Sequence, residues 1–178
     1  MPRCRRLAGR GGFALAVAVA VAVAACDEDQ GPANPEPPAG PDIRLSELMA
    51  DNEATLADEW GDYDDWIELV NRGAEAASTA GLYLTDELAA PNRWPLPDTT
   101  LPAGSVLLVW ADDESAEGKW HATFRLSAAG EEVGLHYGTS LVLTDSTSFG
   151  PQRPDTSFAL APGGWVPDPT PTPGRVND

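Results

Sequence analysis

The stretch Asp64-Asp-Trp-Ile-Glu-Leu-Val-Asn71 carries the clearest structural signal in this 178-residue chain. Its centre is a short apolar run that includes Trp66, Ile67 and Val70, and a turn signal, Asn71-Arg-Gly73, follows, so the pattern predicts a β-strand. Because side chains alternate across a strand, Ile67 and Leu69 share one face and Glu68 lies on the other between two apolar residues. A carboxylate on a covered face needs hydrogen-bond donors, so we expect Glu68 to have a cross-strand partner or backbone donors rather than a catalytic role.

Other apolar runs lie on both sides of this strand at spacings of roughly ten residues, with turn residues between them. Short strands at such spacing are typical of an all-β sandwich and not of βαβ units. The run 105–111 is apolar on both faces, which predicts a central strand covered on both sides. We also expect a helical turn near residues 114–119 and a tight turn at Gly130. The predicted strands are 43–50, 66–70, 82–85, 105–111, 121–126, 132–137, 141–149 and 156–160.

Several stretches form an ordered set of phrases, of which D-W-I-E-L-x-N at residues 64–71 is the most distinctive. In this order they resemble the lamin-tail domain family, whose fold is an immunoglobulin-like β-sandwich. The resemblance covers residues 43–178 and implies a fold and an interaction role, not a reaction. It departs from the family at Leu82, where tryptophan is frequent. The matching stretches are 44–52, 64–71, 80–86, 101–110, 124–135, 145–152 and 171–177.

The amino terminus has the pattern of a signal peptide over residues 1–25. Four arginines within the first ten residues precede an uninterrupted apolar run at residues 13–25. That run has the length of a signal-peptide apolar region and is shorter than the ~20 residues that a membrane-spanning helix needs. We therefore expect the protein to be exported.

The apolar run ends in Val23-Ala-Ala-Cys26, which resembles the lipobox of bacterial lipoproteins. The resemblance implies that Cys26 is acylated, becomes the new amino terminus and anchors the protein in a bacterial membrane, in the periplasm or at the cell surface. It also accounts for a cysteine that has no second cysteine after it to pair with. Several acyl chains together give a stable anchor.

The segment 26–42 begins with this cysteine and continues as an acidic, proline-rich tether. Residues 27–42 contain five prolines, five acids and no basic residue. Proline spacing and like-charge repulsion keep such a segment extended, and it lacks the apolar side chains of a core. We therefore place the folded domain at residues 43–178.

The net charge disfavours nucleic acid as a partner. All 28 acidic residues follow Cys26, whereas four of the 11 basic residues precede it, so the processed chain has seven basic residues and a formal net charge of −21. Such a surface repels phosphate backbones and anionic lipids, which disfavours nucleic-acid binding.

An acidic stretch between residues 45 and 71 is the candidate ligand site, because it holds nine acids and no basic residue. Asp58, Asp62, Asp64 and Asp65 surround Gly61 and offer the hard oxygen ligands that calcium prefers, although the spacing differs from an EF-hand loop. The alternative is a solvated hairpin without a metal. A second acidic cluster follows the run 105–111 and comprises Asp112, Asp113, Glu114 and Glu117.

Tryptophans are the candidate contact residues for a sugar or protein partner. Six are present, and exposed aromatic rings stack on sugars or anchor protein interfaces. Trp66 and Trp110 lie in predicted strands, so we expect them in the core. The four in or beside predicted loops are Trp60, Trp94, Trp120 and Trp165.

These features predict a non-catalytic protein. Glycine-rich phosphate loops, zinc-protease motifs and nucleophile elbows are missing from the sequence, and His121 and His136 fall in predicted strands as ordinary sheet residues. The leading hypothesis is a membrane-anchored envelope lipoprotein that binds or scaffolds an envelope protein or polysaccharide. The alternative is a calcium-dependent adhesion or carbohydrate-binding module. A third hypothesis is an accessory domain of hydrolytic or nucleic-acid-related function.

Overall fold

The computed structural model describes residues 40–177, which form an all-β fold without a helix. Among these residues, no helix is long and apolar enough to cross a bilayer. The strands are β1 (Ile43–Met49), β2 (Trp66–Asn71), β3 (Ala77–Ser78), β4 (Leu82–Thr85), β5 (Trp94–Pro95), β6 (Thr100–Leu101), β7 (Val106–Trp110), β8 (Glu131–Tyr137), β9 (Val142–Phe149), β10 (Ser157–Ala161) and β11 (Gly164–Asp168).

Two antiparallel sheets make up most of the domain. The first has the strand order β11-β10-β1-β2-β7 and the second the order β5-β4-β8-β9, while β3 and β6 form a small ribbon. The prediction of an all-β sandwich is therefore confirmed, and the stretch at residues 64–71 supplies β2, an interior strand of the larger sheet.

The hydrophobic core lies between these two sheets. Ile67 and Leu69 on β2 belong to one buried cluster with Leu84 on β4 and Leu135 on β8, and all four side chains have no exposed area. Burying a side chain of this size contributes about 1.5–3 kcal/mol, so the alternation of β2 determines which face of the larger sheet packs inward.

The opposite face of the larger sheet is also covered. Met49, Trp66 and Trp110 form a second buried cluster there, as expected for the two strand tryptophans. Beside it, Glu68 has no exposed area, accepts a hydrogen bond from the Ser46 hydroxyl at 2.7 Å and another from the Gly174 amide at 2.8 Å. The expectation of polar donors for Glu68 is therefore confirmed.

The prediction for residues 105–111 is wrong in one respect, because β7 is an edge strand of the larger sheet. Its apolar faces contact two different clusters: Val109 belongs to the core between the sheets, and Trp110 to the cluster on the outer face. Two covered faces therefore do not require two neighbouring strands.

Residues 114–126 also differ from expectation. Residues 114–119 form no helix, although the Glu117 amide donates to the Glu114 carbonyl at 2.8 Å in a single turn. Residues 121–126 make only isolated bridges, from His121 to Trp110 and from Arg125 to Asp112. Ala122 and Phe124 are nevertheless buried in the core. The alternating apolar pattern thus reports burial of one face of an extended segment, not a continuous hydrogen-bonded strand.

Candidate functional site

Two loops that are distant in sequence meet at one end of the larger sheet. Trp66, the first residue of β2, is the register partner of Trp110, the last residue of β7. Because the strands are antiparallel, the loop before β2 and the loop after β7 leave the sheet at the same end. The Ala111 amide donates to the Asp65 carbonyl at 2.8 Å and joins the two loops at their base. Both acidic clusters found in the sequence therefore belong to one site.

Asp58 is held by the backbone of its own loop. Its Oδ1 accepts hydrogen bonds from the amides of Trp60, Gly61 and Asp62 at 2.8, 2.8 and 2.9 Å, and Gly61 permits this tight loop with a φ of +95°. Burial raises the pKa of Asp58, but the amide hydrogen bonds outweigh burial and the net pKa is lowered. This geometry fixes the carboxylate and leaves Oδ2 free for another contact.

His121 lies on the other side of the cluster and is 1 % exposed. Its Nδ1 is hydrogen-bonded to the buried carboxylate of Asp112, and its ring stacks on Trp110 with 6.4 Å between centroids. These contacts fix the ring plane and direct Nε2 toward the acidic loop, where it lies 3.4 Å from Glu59 Oε1.

Ligand atoms from both loops converge between Asp58 and His121. The carboxylates of Asp58, Asp64 and Glu117 offer oxygens within 4.8 Å of one another, and Asp58, Glu59 and His121 form a second group within the same limit. Four buried atoms of this cluster have no hydrogen-bond partner among the described residues: Asp58 Oδ2, Asp64 Oδ2, Glu117 Oε2 and His121 Nε2.

Electrostatics at the cluster reflects carboxylates held close together. Burial raises the pKa of Asp64, and Asp112 and Asp58 raise it further by charge repulsion. The pKa of Glu117 is also raised, by desolvation first and then by Glu114 and Asp58. Burial lowers the pKa of His121, but Asp112 and Glu59 outweigh it, so the net pKa is raised. Both a proton on the imidazole and a bound cation relieve this excess of negative charge.

The structure brings together only two of the four predicted calcium ligands. Asp58 and Asp64 lie together in the cluster, whereas Asp62 is exposed and belongs to none of the described ligand groups. Asp65 is also outside these groups. Burial raises the pKa of Asp65 to about 7, although a hydrogen bond from the Asn52 amide opposes the shift.

Three residues of the cluster were not among the predicted ligands: Glu59, Glu117 and His121. Glu59 and Glu117 were counted in the acidic runs, but spacing alone does not reveal that the two runs meet. His121 was assigned to a strand because its neighbours alternate. A histidine that closely follows an acidic run, as His121 follows residues 112–117, is the sequence signal that identifies it.

The four candidate contact tryptophans have different environments. Trp60 is 64 % exposed beside the cluster, and its Nε1 donates to the Glu117 carbonyl at 3.1 Å. Trp94 is buried in the core. Trp120 is partly buried, with the Lys119 ammonium over its ring. Trp165, in β11, stacks on Phe158 of β10. Trp60 is thus the member of this set that presents a large ring surface.

The groove between β9, β10 and β11 and the two histidines are the remaining features that concern a catalytic role. A groove of about 590 Å³ lies between β9, β10 and β11, and the residues that line it include neither histidine nor an acid. His136 is buried on β8 opposite Tyr83, and burial lowers its pKa. Among residues 40–177, the ring nitrogens of His121 contact carboxylates and no serine.

The predicted acylation site Cys26, the predicted signal peptide at 1–25 and most of the predicted tether at 26–42 lie outside the described residues. Comparison with known proteins adds no assignment: no protein-family model matches the chain, and no curated protein matches it. Fold and site together define an all-β sandwich with a carboxylate–histidine cluster at one end of its larger sheet.

Proposed function

We propose that the protein is an exported lipoprotein, anchored through Cys26, that displays a lamin-tail, immunoglobulin-like β-sandwich as a non-catalytic binding or scaffolding module of the cell envelope. The observation that carries the binding role is the convergence of the two acidic loops, with exposed aromatic rings beside them. Trp60 and Tyr63 are 64 % and 50 % exposed on this end of the domain. Such rings bind sugars or protein partners when their orientation is fixed.

Contacts among the phrases that resemble the family support the lamin-tail assignment. Glu47 of the first phrase and Glu68 of D-W-I-E-L-x-N are register partners on β1 and β2. The last phrase, residues 171–177, covers them: the Thr172 hydroxyl donates to Glu47 Oε2 at 3.0 Å, and the Gly174 amide donates to Glu68. Phrases whose contacting residues are 106 and 125 positions apart thus form one structural unit, which supports reading them as a family pattern.

Surface charge supports an envelope partner rather than nucleic acid. Three arginines of the domain are already paired, Arg44 with Asp42, Arg93 with Asp86, and Arg125 with Glu114. These pairs reduce the positive charge that is available for phosphate contacts, and the other four basic residues after Cys26 are outnumbered by 28 acids. We therefore propose an envelope protein or polysaccharide as the partner class.

Anchoring is tested by fractionating cells that express the full chain, the Cys26→Ser variant or the Cys4→Ser variant. Cys4 lies in the segment expected to be removed, so Cys4→Ser is the matched control. We expect the wild type and Cys4→Ser in membranes and Cys26→Ser in the soluble fraction. Membrane association of Cys26→Ser would disprove the lipid anchor.

The binding end is tested by pull-down from envelope fractions with the wild type and Trp60→Ala. Leu143→Ala is the control, because Leu143 is a large apolar residue on β9 that is 47 % exposed. We expect Trp60→Ala to lose most of the captured partner and Leu143→Ala to retain it. Equal capture by all three chains would show that this loop end is not the binding surface.

A further inference from the structure

We propose that Asp58, Asp64, Glu117 and His121 bind a divalent transition-metal ion of the Zn²⁺ or Mn²⁺ class, with Glu59 as an additional ligand. The proposal concerns a site that the β2–β7 register builds, so it does not depend on the anchor or the partner. It differs from the calcium set expected from sequence, because it omits Asp62 and Asp65 and includes an imidazole nitrogen.

The first argument is the orientation of His121. Its Nδ1 is hydrogen-bonded to Asp112, whose Oδ1 accepts the Glu114 amide at 2.9 Å. Metal-ligating histidines have this arrangement, in which a carboxylate takes one ring N–H and leaves the other nitrogen to the metal. The side chain of His121 is fully buried, and Nε2 lies 3.4 Å from Glu59 Oε1 without forming a hydrogen bond to any of the described residues. A buried imidazole fixed in this way is aimed at a ligand.

The second argument is the state of the carboxylates. Asp58 uses one oxygen for three backbone amides and presents the other to the cluster. Asp64 Oδ2 and Glu117 Oε2 are buried beside it, also without hydrogen-bond partners among residues 40–177. Buried polar atoms in native proteins are normally paired, and one cation placed between these atoms would pair all of them. A cation satisfies them together and removes the repulsion between them.

The distances suit a small ion. The oxygens of Asp58, Asp64 and Glu117 lie within 4.8 Å of one another, and two ligands on opposite sides of an ion with bonds of ~2.0–2.2 Å lie about 4 Å apart. The same limit holds for the ligand atoms of Asp58, Glu59 and His121, so Asp58 belongs to two groups that each have nearly the spacing that one ion requires. Gly118 leaves room beside the imidazole, because a Cβ there would lie 3.1 Å from both Glu59 Oε1 and His121 Cδ2.

The ligand chemistry favours a transition metal over calcium. Calcium takes six to eight oxygen ligands, whereas imidazole with carboxylates suits zinc and related ions. His121 lies at the side of the cluster with Nε2 directed into it, and so provides a nitrogen ligand where a calcium site would provide oxygen.

The test is calorimetric titration of the full chain, purified in detergent and freed of metal with a chelator, with Zn²⁺, Mn²⁺ and Ca²⁺ separately. We expect one Zn²⁺ or Mn²⁺ per chain. Asp64→Asn and His121→Ala should weaken binding at least tenfold. The matched controls Asp62→Asn and Asp113→Asn, which remove the same charge from the same two loops, should change it less than twofold. Circular dichroism checks that each variant is folded.

Two results would overturn the proposal. Absence of saturable binding, or equal binding by Asp64→Asn and Asp62→Asn, would show that these residues do not form a metal site. Binding of Ca²⁺ alone, unchanged in His121→Ala or, if that variant is unfolded, in His121→Gln, would show an oxygen-only calcium site instead. Neither result affects the fractionation and pull-down experiments, so failure of this site is distinguishable from failure of the proposed function.

Discussion

Glu47 and Glu68 lie opposite each other on β1 and β2, and neither side chain has any exposed area. Each has its own donors: the Ser157 hydroxyl and Thr172 bond to Glu47, and Ser46 and Gly174 bond to Glu68. A β-bulge at Ser46, between Leu45 and Glu47, brings the carboxylates into register. The carboxyl-terminal segment thus closes over a carboxyl pair that would otherwise face water.

This pair predicts a pH-dependent stability. Burial, opposed by the Ser46 and Gly174 hydrogen bonds and reinforced by the Glu47 charge, raises the pKa of Glu68 from 4.5 to about 7. Between these values the folded state binds more protons than the unfolded state, so the free energy of unfolding falls as pH rises. We expect urea denaturation in the presence of a chelator to show that this group lowers the free energy of unfolding by about 1–3 kcal/mol between pH 5 and pH 8.

Glu68→Gln keeps an acceptor for Gly174 and removes the titration, so its unfolding free energy should depend less on pH. Asp65→Asn is the companion variant, because the pKa of Asp65 is also raised to about 7. The two changes together should reduce the slope in this window more than either change alone. An unchanged slope in Glu68→Gln would contradict the assignment.

The strands could be predicted because residues on the two faces of a strand alternate along the sequence. Ile67 and Leu69 alternate with Trp66 and Glu68, and the structure places the first pair in the core. β11 (Gly164–Asp168) was not predicted, because Pro167 interrupts its pattern; it is an edge strand paired with β10 alone, where a proline is tolerated. A proline thus interrupts the pattern by which this edge strand could have been predicted.

The candidate site could be predicted only in part. The acidic runs at residues 58–65 and 112–117 marked the two loops that form the cluster, but their meeting depends on the β2–β7 register, which a local pattern does not contain. His121 has the alternating neighbours of a strand residue, and its role depends on Asp112 and Glu59 reaching it from two directions. Long-range pairing, not residue type, was the missing information.

Asn71, the last residue of D-W-I-E-L-x-N, should be important for stability. It is fully buried, and its Nδ2 donates to the Leu101 and Glu75 carbonyls at 2.8 and 2.9 Å while its Oδ1 accepts the Gly73 amide. Asn71→Ala leaves these backbone groups unpaired, and we expect a loss of about 2–4 kcal/mol in urea denaturation. Asn92→Ala, at an exposed turn, is the control and should change stability by less than about 0.5 kcal/mol.

Gly130 should not tolerate a side chain. It has a φ of +101°, and a Cβ there would lie 2.5 Å from the Phe149 carbonyl oxygen. Backbone strain and overpacking each cost about 1–3 kcal/mol, so Gly130→Ala should lower the unfolding free energy by about 2–5 kcal/mol. A Cβ added at Gly150, which lies beside Gly130, would have no atom within 4 Å. Gly150→Ala should therefore unfold near the wild-type urea midpoint, and similar losses in both variants would contradict this explanation.

Asp155 should control the order of the loop that leads to the acidic cluster. Its Oδ1 accepts the amides of Glu53 and Ala54 at 3.1 and 2.8 Å and the Thr55 hydroxyl at 2.8 Å, and these bonds lower its pKa, with Ala54 the largest cause. Asp155→Ala removes the acceptor, so amide hydrogen exchange at residues 53–55 should become faster. Asp155→Asn retains an acceptor oxygen and suits the observed φ of 55°. It should preserve most of the protection, and equal exchange in the two variants would mean that other contacts order this loop.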